Sequence, residues 1–142
     1  MKVVIDTNIL VSAVIRDRLP ERVLLWCLGN PKVEWLVTPA VMAEYAAIIQ
    51  RPKFKLPRVT VIWWLELLAA DTRMIQPTVS IDFPRDRKDS LFLICAESGK
   101  ADFLITGDAD FSEASTLIST TICNLNQFAQ RVAPNLLMPT NH

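Results

Sequence analysis

The sequence predicts an α/β fold, a five-stranded parallel sheet with helices on both faces and the strand order 3-2-1-4-5. Three observations predict it. Short apolar runs such as Val3-Val4-Ile5 and Phe103-Leu104-Ile105 alternate with segments of helical length, the pattern of strand–helix–strand units. Helix start and stop residues fall between them, with Thr38-Pro39, Gly29-Asn30-Pro31 and Gly99 the clearest. Right-handed crossovers then leave few topologies for five such strands.

The first strand is expected at Val3–Ile5, where β-branched residues dominate. Asp6, Thr7 or Asn8 caps a short helix through about Ile15. A break at Pro20 precedes a helix over Glu21–Leu28. The second strand is Lys32–Val37. Thr38 caps the next helix, with Pro39 at its first position, and this helix runs to about Gln50. Val41, Met42, Tyr45, Ile48 and Ile49 share one face of it, and Glu44 falls at the edge of that stripe.

Arg58–Ala70 reads as a helix apolar on nearly all sides. Its adjacent Trp63 and Trp64 cannot both face one core, which suggests a second interface such as a dimer contact. The third strand is expected at Arg73–Gln76, a loop at Ser80–Arg87 and a helix at Lys88–Ser98. Phe103–Ile105 is the fourth strand and Leu117–Cys123 the fifth. Asn126 is expected to cap a last helix to about Val132. Residues 1–133 are expected to form a single domain, and residues 134–142 a loose tail.

Composition excludes several classes. The chain is 51% hydrophobic and 21% charged, too apolar for disorder. No apolar run reaches the roughly 18 residues that span a bilayer, and the N-terminus reads as a strand with no leader cleavage site. A cytoplasmic protein without a membrane partner is expected. Cys27, Cys95 and Cys123 are odd in number, widely spaced and set among apolar residues, so buried free thiols are expected. The 15 basic and 15 acidic residues cancel, so net charge does not advertise a nucleic-acid partner. Locally, Arg51, Lys53, Lys55 and Arg58 form a stretch without an acid, either a solvated loop or a phosphate-positioning rim. The only histidine is His142, which argues against histidine general bases, histidine metal sites and a Ser-His-Asp triad.

Four carboxylates remain to carry chemistry. In the 3-2-1-4-5 order, strands 1 and 4 are neighbours at the point where the winding reverses, and a crevice opens at their carboxyl ends. Asp6 follows strand 1 and Asp108 follows strand 4. The helix after strand 2 brings Glu44, and the helix before strand 4 brings Asp89. Each acid alone has an ordinary role: Asp6, Asp89 and Asp108 as helix caps, Glu44 as a surface residue. Together they would repel one another and demand a cation, so a divalent-metal site and phosphodiester hydrolysis come first. A phosphatase with an aspartyl nucleophile is a weaker reading, because Asn8 stands where a second Asp is usual. A non-catalytic binding module is the other alternative.

The motifs that carry these acids resemble the PIN-domain nucleases, especially the PIN-family toxins of bacterial toxin–antitoxin pairs (VapC-like). The resemblance lies in Val4-Ile5-Asp6-Thr7-Asn8-Ile9-Leu10, Thr38-Pro39-Ala40-Val41-Met42-Ala43-Glu44-Tyr45, Arg51-Pro52-Lys53-Phe54, Asp86-Arg87-Lys88-Asp89 and Gly99–Asp108. It implies a PIN-like three-layer α/β/α sandwich and an endoribonuclease using one or two Mg²⁺ or Mn²⁺ ions. The acidic quartet falls on Asp6, Glu44, Asp89 and Asp108, with Asn8 and Thr106 as polar helpers. Asp110 is an auxiliary acid, and Asp86 competes with Asp89 because Arg87 follows it where the family often has Pro. Arg51 and Lys53 would position the RNA backbone. A protein antitoxin and a homodimer are the implied partners.

Overall fold

The computed structural model describes residues 1–15, 18–82 and 87–138. Strands β1 (Lys2–Ile5), β2 (Glu34–Val37), β3 (Arg73–Met74), β4 (Phe103–Ile105) and β5 (Thr121–Cys123) form a parallel sheet ordered β3-β2-β1-β4-β5, as the sequence predicts. Val3, Val4 and Ile5 are fully buried because β1 is the central strand. A strand covered on both faces has no polar side to present, hence its unbroken apolar run.

The helices are α1 (Thr7–Val14), α2 (Arg18–Gly29), α3 (Pro39–Ile49), α4 (Arg58–Asp71), α5 (Arg87–Ser98) and α6 (Leu125–Val132). One helical layer pairs α2 with α6, where Trp26 and Phe103 each meet Phe128 edge to face at 6.3 and 5.5 Å. The other pairs α3 with α5, joined by Tyr45 and Phe92 at 6.2 Å. Helix α4 divides its tryptophans as expected: Trp64 is buried, whereas Trp63 is half-exposed, and Val59 and Ile62 also face solvent. No helix among the described residues is long and apolar enough to cross a membrane.

Several boundaries differ from expectation for identifiable reasons. Helix α2 starts at Arg18, ahead of Pro20, because a proline in the first turn forfeits no helical hydrogen bond. Strand β3 is only two residues long, an edge strand paired through Leu36–Arg73 and Val37–Met74. Strand β5 begins at Thr121 rather than Leu117. A 3₁₀ helix, Ala109–Thr116, precedes it, and Ser119 is held by its N–H and hydroxyl on the Glu97 carboxylate at 3.0 and 3.3 Å. Asn124, not Asn126, caps α6. Its Oδ1 accepts the Gln127 N–H and Gln127 Oε1 accepts the Asn124 N–H, both at 2.8 Å, a closed capping box. Within the segment expected to be a loose tail, Pro134–Leu137 forms a 3₁₀ helix whose Leu136 and Leu137 pack on the core. Residues 139–142 lie outside the described residues.

The end of α5 separates two jobs that one glycine often does. The Ala101 N–H bonds the Ala96 carbonyl at 2.9 Å and the Lys100 N–H bonds the Glu97 carbonyl at 3.2 Å, a Schellman turn. The left-handed residue is Lys100, with φ of 51°. Gly99 instead answers to space: a β-carbon there would stand 2.4 Å from Leu36 Cδ1 and 2.8 Å from Ile75 Cδ1. Gly99→Ala should therefore lower unfolding stability by about 1–3 kcal/mol through overpacking. Lys100→Gly should raise it by about 1 kcal/mol by relieving the left-handed conformation. Urea denaturation of the two variants checks both signs; equal midpoints would contradict this division of roles.

Candidate active site

The site is built by the pairing of β1 with β4. Val3, Val4 and Ile5 register against Phe103, Leu104 and Ile105. The ladder runs one residue further, with the Asp6 N–H on the Ile105 carbonyl and the Thr106 N–H on the Cys123 carbonyl, both at 2.9 Å. Asp6 and Thr106 thus stand side by side at the carboxyl edge. The Thr106 hydroxyl donates to Asp6 Oδ2 at 2.9 Å and accepts the Asp108 N–H at 3.1 Å. One hydroxyl therefore fixes the Asp6 carboxylate and the backbone that carries Asp108.

Asp6 sits at the N-cap of α1, yet its side chain makes no capping hydrogen bond. The carboxylate is turned to Thr106 and is 5% exposed. Burial pushes its pKa above the usual 3.8, and the Asp108 charge pushes the same way. The Thr106 hydrogen bond and the nearby Thr7 and Asn8 N–H groups offset this only in part. The Asn8 side chain is exposed.

Glu44 is placed by its neighbours. Thr38 caps α3 by accepting the Val41 N–H at 3.2 Å, with Pro39 following. Tyr45 is fully buried; its hydroxyl donates to the Ile5 carbonyl and accepts from Trp35 Nε1 at 3.3 Å. Tyr45 thereby ties α3 to the last residue of β1, and Glu44, half-buried, is the residue before it. Asp89 is buried in the first turn of α5, which packs against α3. Glu44, Asp89 and Asp108 all have interacting neighbours. Asp86 and the Asp110 side chain lie outside the described residues.

The structure thus joins Asp6, Thr106 and Asp108 directly and sets Glu44 and Asp89 on the two helices packed together. Among the described residues, no three Asp, Glu, His or Cys side chains close into a ready-made metal cluster. The donor set still suits a hard divalent cation. It offers carboxylate oxygens, one of them buried and electrostatically strained, beside Thr7, whose buried hydroxyl has no hydrogen-bond partner among the described residues. The three cysteines are buried free thiols, and burial pushes Cys27 and Cys95 to about 12 and Cys123 to about 11.

Arg51 caps the 3₁₀ turn Pro52–Phe54 that follows α3, and Lys53 lies within that turn. Lys53 Nζ stands 5.1 Å from the centre of the Phe54 ring. Arg51 joins Lys55 and Arg58 on the rim of a cavity of about 350 Å³ floored by α4 residues such as Val61 and Leu65. Two residues that sequence reasoning missed also bear on the site. Tyr45 read as ordinary core, since its carbonyl partner is 40 residues away. Asn124 was passed over in favour of Asn126 as the cap of α6, though it follows β5 just as Asp6 follows β1.

Fold and site define a three-layer α/β protein with an acidic centre at the switch point of its sheet. The sequence model of the PIN domain matches residues 2–110, and the chain belongs to the PIN-domain family. No curated protein matches the sequence. Among solved structures, the fold is similar to a chain of VapBC2 from Rickettsia felis, solved bound to a DNA fragment from their promoter. That match has a TM-score of 0.61 at 17% identity over 87% of this chain and 98% of that one. VapBC-1 from nontypeable Haemophilus influenzae is similar at a TM-score of 0.60 and 19% identity, over 89% of this chain and 99% of that one.

The raised pKa of Asp6 has a signed consequence. Its charged form costs stability, so that cost is absent below about pH 3.8 and appears as pH rises through the raised folded value. Asp6→Asn, without added divalent cation, should melt a few degrees above the parent at pH 7 and converge with it near pH 4. Thermal melts at both pH values check this. A variant less stable at pH 7 would contradict the strain assigned to Asp6.

Proposed function

We propose that the chain is a divalent-metal-dependent endoribonuclease acting as the toxin of a toxin–antitoxin pair. The observation that carries this reading is the Asp6–Thr106–Asp108 arrangement at the carboxyl ends of the two central strands, in a chain of the PIN-domain family. Similarity to VapBC chains supports the toxin role.

Asp6, Asp89 and Asp108 would hold the first Mg²⁺ or Mn²⁺ ion, and Glu44 would bind a second or orient the attacking water. Asp86 is the alternative to Asp89, and Asp110 an auxiliary acid. When bound, the cation supplies a water nucleophile active at neutral pH and neutralises charge growing on the phosphoryl oxygens. Thr106 keeps the Asp6 carboxylate in one orientation throughout, and Asn8 acts as a further polar donor at the rim. Arg51 and Lys53 hold the RNA backbone, which positions the strand without reading its sequence. No side-chain nucleophile is needed, which suits a chain whose only histidine is residue 142.

The antitoxin would cover the crevice and set a basic side chain among the acids, competing with the cation. The exposed Val59, Ile62 and Trp63 of α4 supply the apolar surface for a homodimer, so light scattering of the isolated chain should give the mass of two copies.

The enzymatic reading is tested on purified protein with single-stranded RNA. Cleavage should require Mn²⁺ or Mg²⁺ and stop with a chelator. Thr106→Val should lose roughly 10–100-fold in rate, as expected for a residue that orients a ligand, and Asp6→Asn should lose more. Undiminished cleavage by Asp6→Asn would sink the mechanism. Tight Mn²⁺ binding without cleavage would favour a binding module instead.

A further inference from the structure

One buried phenol connects the elements that carry three of the four acids. The Tyr45 hydroxyl donates to the Ile5 carbonyl and accepts from Trp35 Nε1 at 3.3 Å. Its ring meets Trp35 edge to face at 5.9 Å and Phe92 at 6.2 Å. Ile5 ends β1, and Asp6 is the next residue. Phe92 lies in α5 three residues after Asp89, so the two share a face of that helix. Glu44 precedes Tyr45 in α3, and the turn of an α-helix fixes its direction relative to the ring.

Apolar packing does not explain the hydroxyl. A phenylalanine would fill the same ring volume and keep both ring contacts. The oxygen must instead be stripped of water, a cost met only by the hydrogen bonds it makes. Those bonds are directional, whereas ring packing tolerates sliding. The bond to the Ile5 carbonyl therefore sets the height and rotation of α3 against the end of β1. Thr106 does the corresponding work between Asp6 and the backbone of Asp108. The two hydroxyls act on different pairs of acids.

We propose that Tyr45 is a positioning residue of the acidic centre: its hydroxyl fixes where Glu44 stands relative to Asp6, and its ring, through Phe92, fixes where Asp89 stands. This rests on the divalent-metal reading above, and it names the residue that holds the helical half of that site. Mg²⁺ tolerates little departure from octahedral geometry, whereas Ca²⁺ accepts more oxygens in flexible arrangements. A site whose acids have come loose therefore loses Mg²⁺ before it loses Ca²⁺.

The test titrates Mg²⁺ and Ca²⁺ separately into the full chain by calorimetry, with no RNA present. Tyr45→Phe removes one oxygen and keeps the ring. It should bind Mg²⁺ about tenfold more weakly, the loss typical of a group that orients metal ligands, while Ca²⁺ binding changes less. Its melting temperature should fall as well, because the Trp35 N–H loses its acceptor. Phe128→Leu, in the opposite helical layer, serves as the comparison for plain destabilisation: it should melt lower and keep the parent's Mg²⁺ affinity and Mg²⁺-to-Ca²⁺ ratio. Phe92→Leu loosens the Asp89 side with the Tyr45 hydroxyl intact. It should also lower the ratio, and it decides the matter if Tyr45→Phe does not fold. If the parent binds Mg²⁺ and Tyr45→Phe binds both cations as the parent does, the assignment of Tyr45 is overturned while the metal reading stands. Equal losses of Mg²⁺ and Ca²⁺ in all three variants would overturn it too, since general destabilisation would then explain them. If the parent binds neither cation, the metal reading fails and takes this one with it.

Discussion

The hydrogen bond from the Thr106 hydroxyl to the Asp6 carboxylate is the point on which the site depends. It exists because β1 and β4 pair in parallel with Ile5 opposite Ile105, so the residues after each strand end level with one another. A slip of one residue would turn every side chain of either strand to the opposite face. The fully buried Val3–Ile5 run resists such a slip, since any shift would exchange its contacts on both layers. Packing in the core thus sets, to within a hydrogen bond, where a carboxylate at the edge can stand.

That carboxylate is held against its own preference. Burial and the Asp108 charge both favour the protonated form of Asp6, while Thr106 and the first N–H groups of α1 favour the ionised one, and burial dominates. A helix cap would have relieved the strain, and Asp6 occupies the capping position without using it. Such tension is common where a fold prepares a site for a cation or for proton chemistry. Tyr45 adds rigidity from the other side by bonding the Ile5 carbonyl, so α3 and β1 cannot move independently next to Glu44.

The sheet order and most helices were legible in the sequence because buried parallel strands advertise themselves as apolar runs and because Thr38-Pro39 and Gly99 mark ends locally. The misplaced boundaries involve contacts that local signals do not contain. Leu117 looks like a strand residue, but Ser119 is bound to Glu97, which belongs to another element. Asn124 and Asn126 carry the same capping chemistry, and the choice falls to Asn124 because Gln127 then stands at the third helical position. The placement of Asp6 and Asp108 near one another was legible from their positions after strands 1 and 4, whereas Thr106 entered only through the family resemblance. Glu44 and Asp89 are harder, since a helical residue reaches a crevice only if its helix is rotated correctly, and that depends on Tyr45 and Phe92 packing together.

The proposed sharing of one divalent cation by Asp6 and Asp108 can be tested without reference to any substrate, by anomalous diffraction from crystals grown with Mn²⁺. A manganese peak in direct contact with carboxylate oxygens of both Asp6 and Asp108 is expected. A peak bound elsewhere on the chain, or none at saturating Mn²⁺, would contradict it.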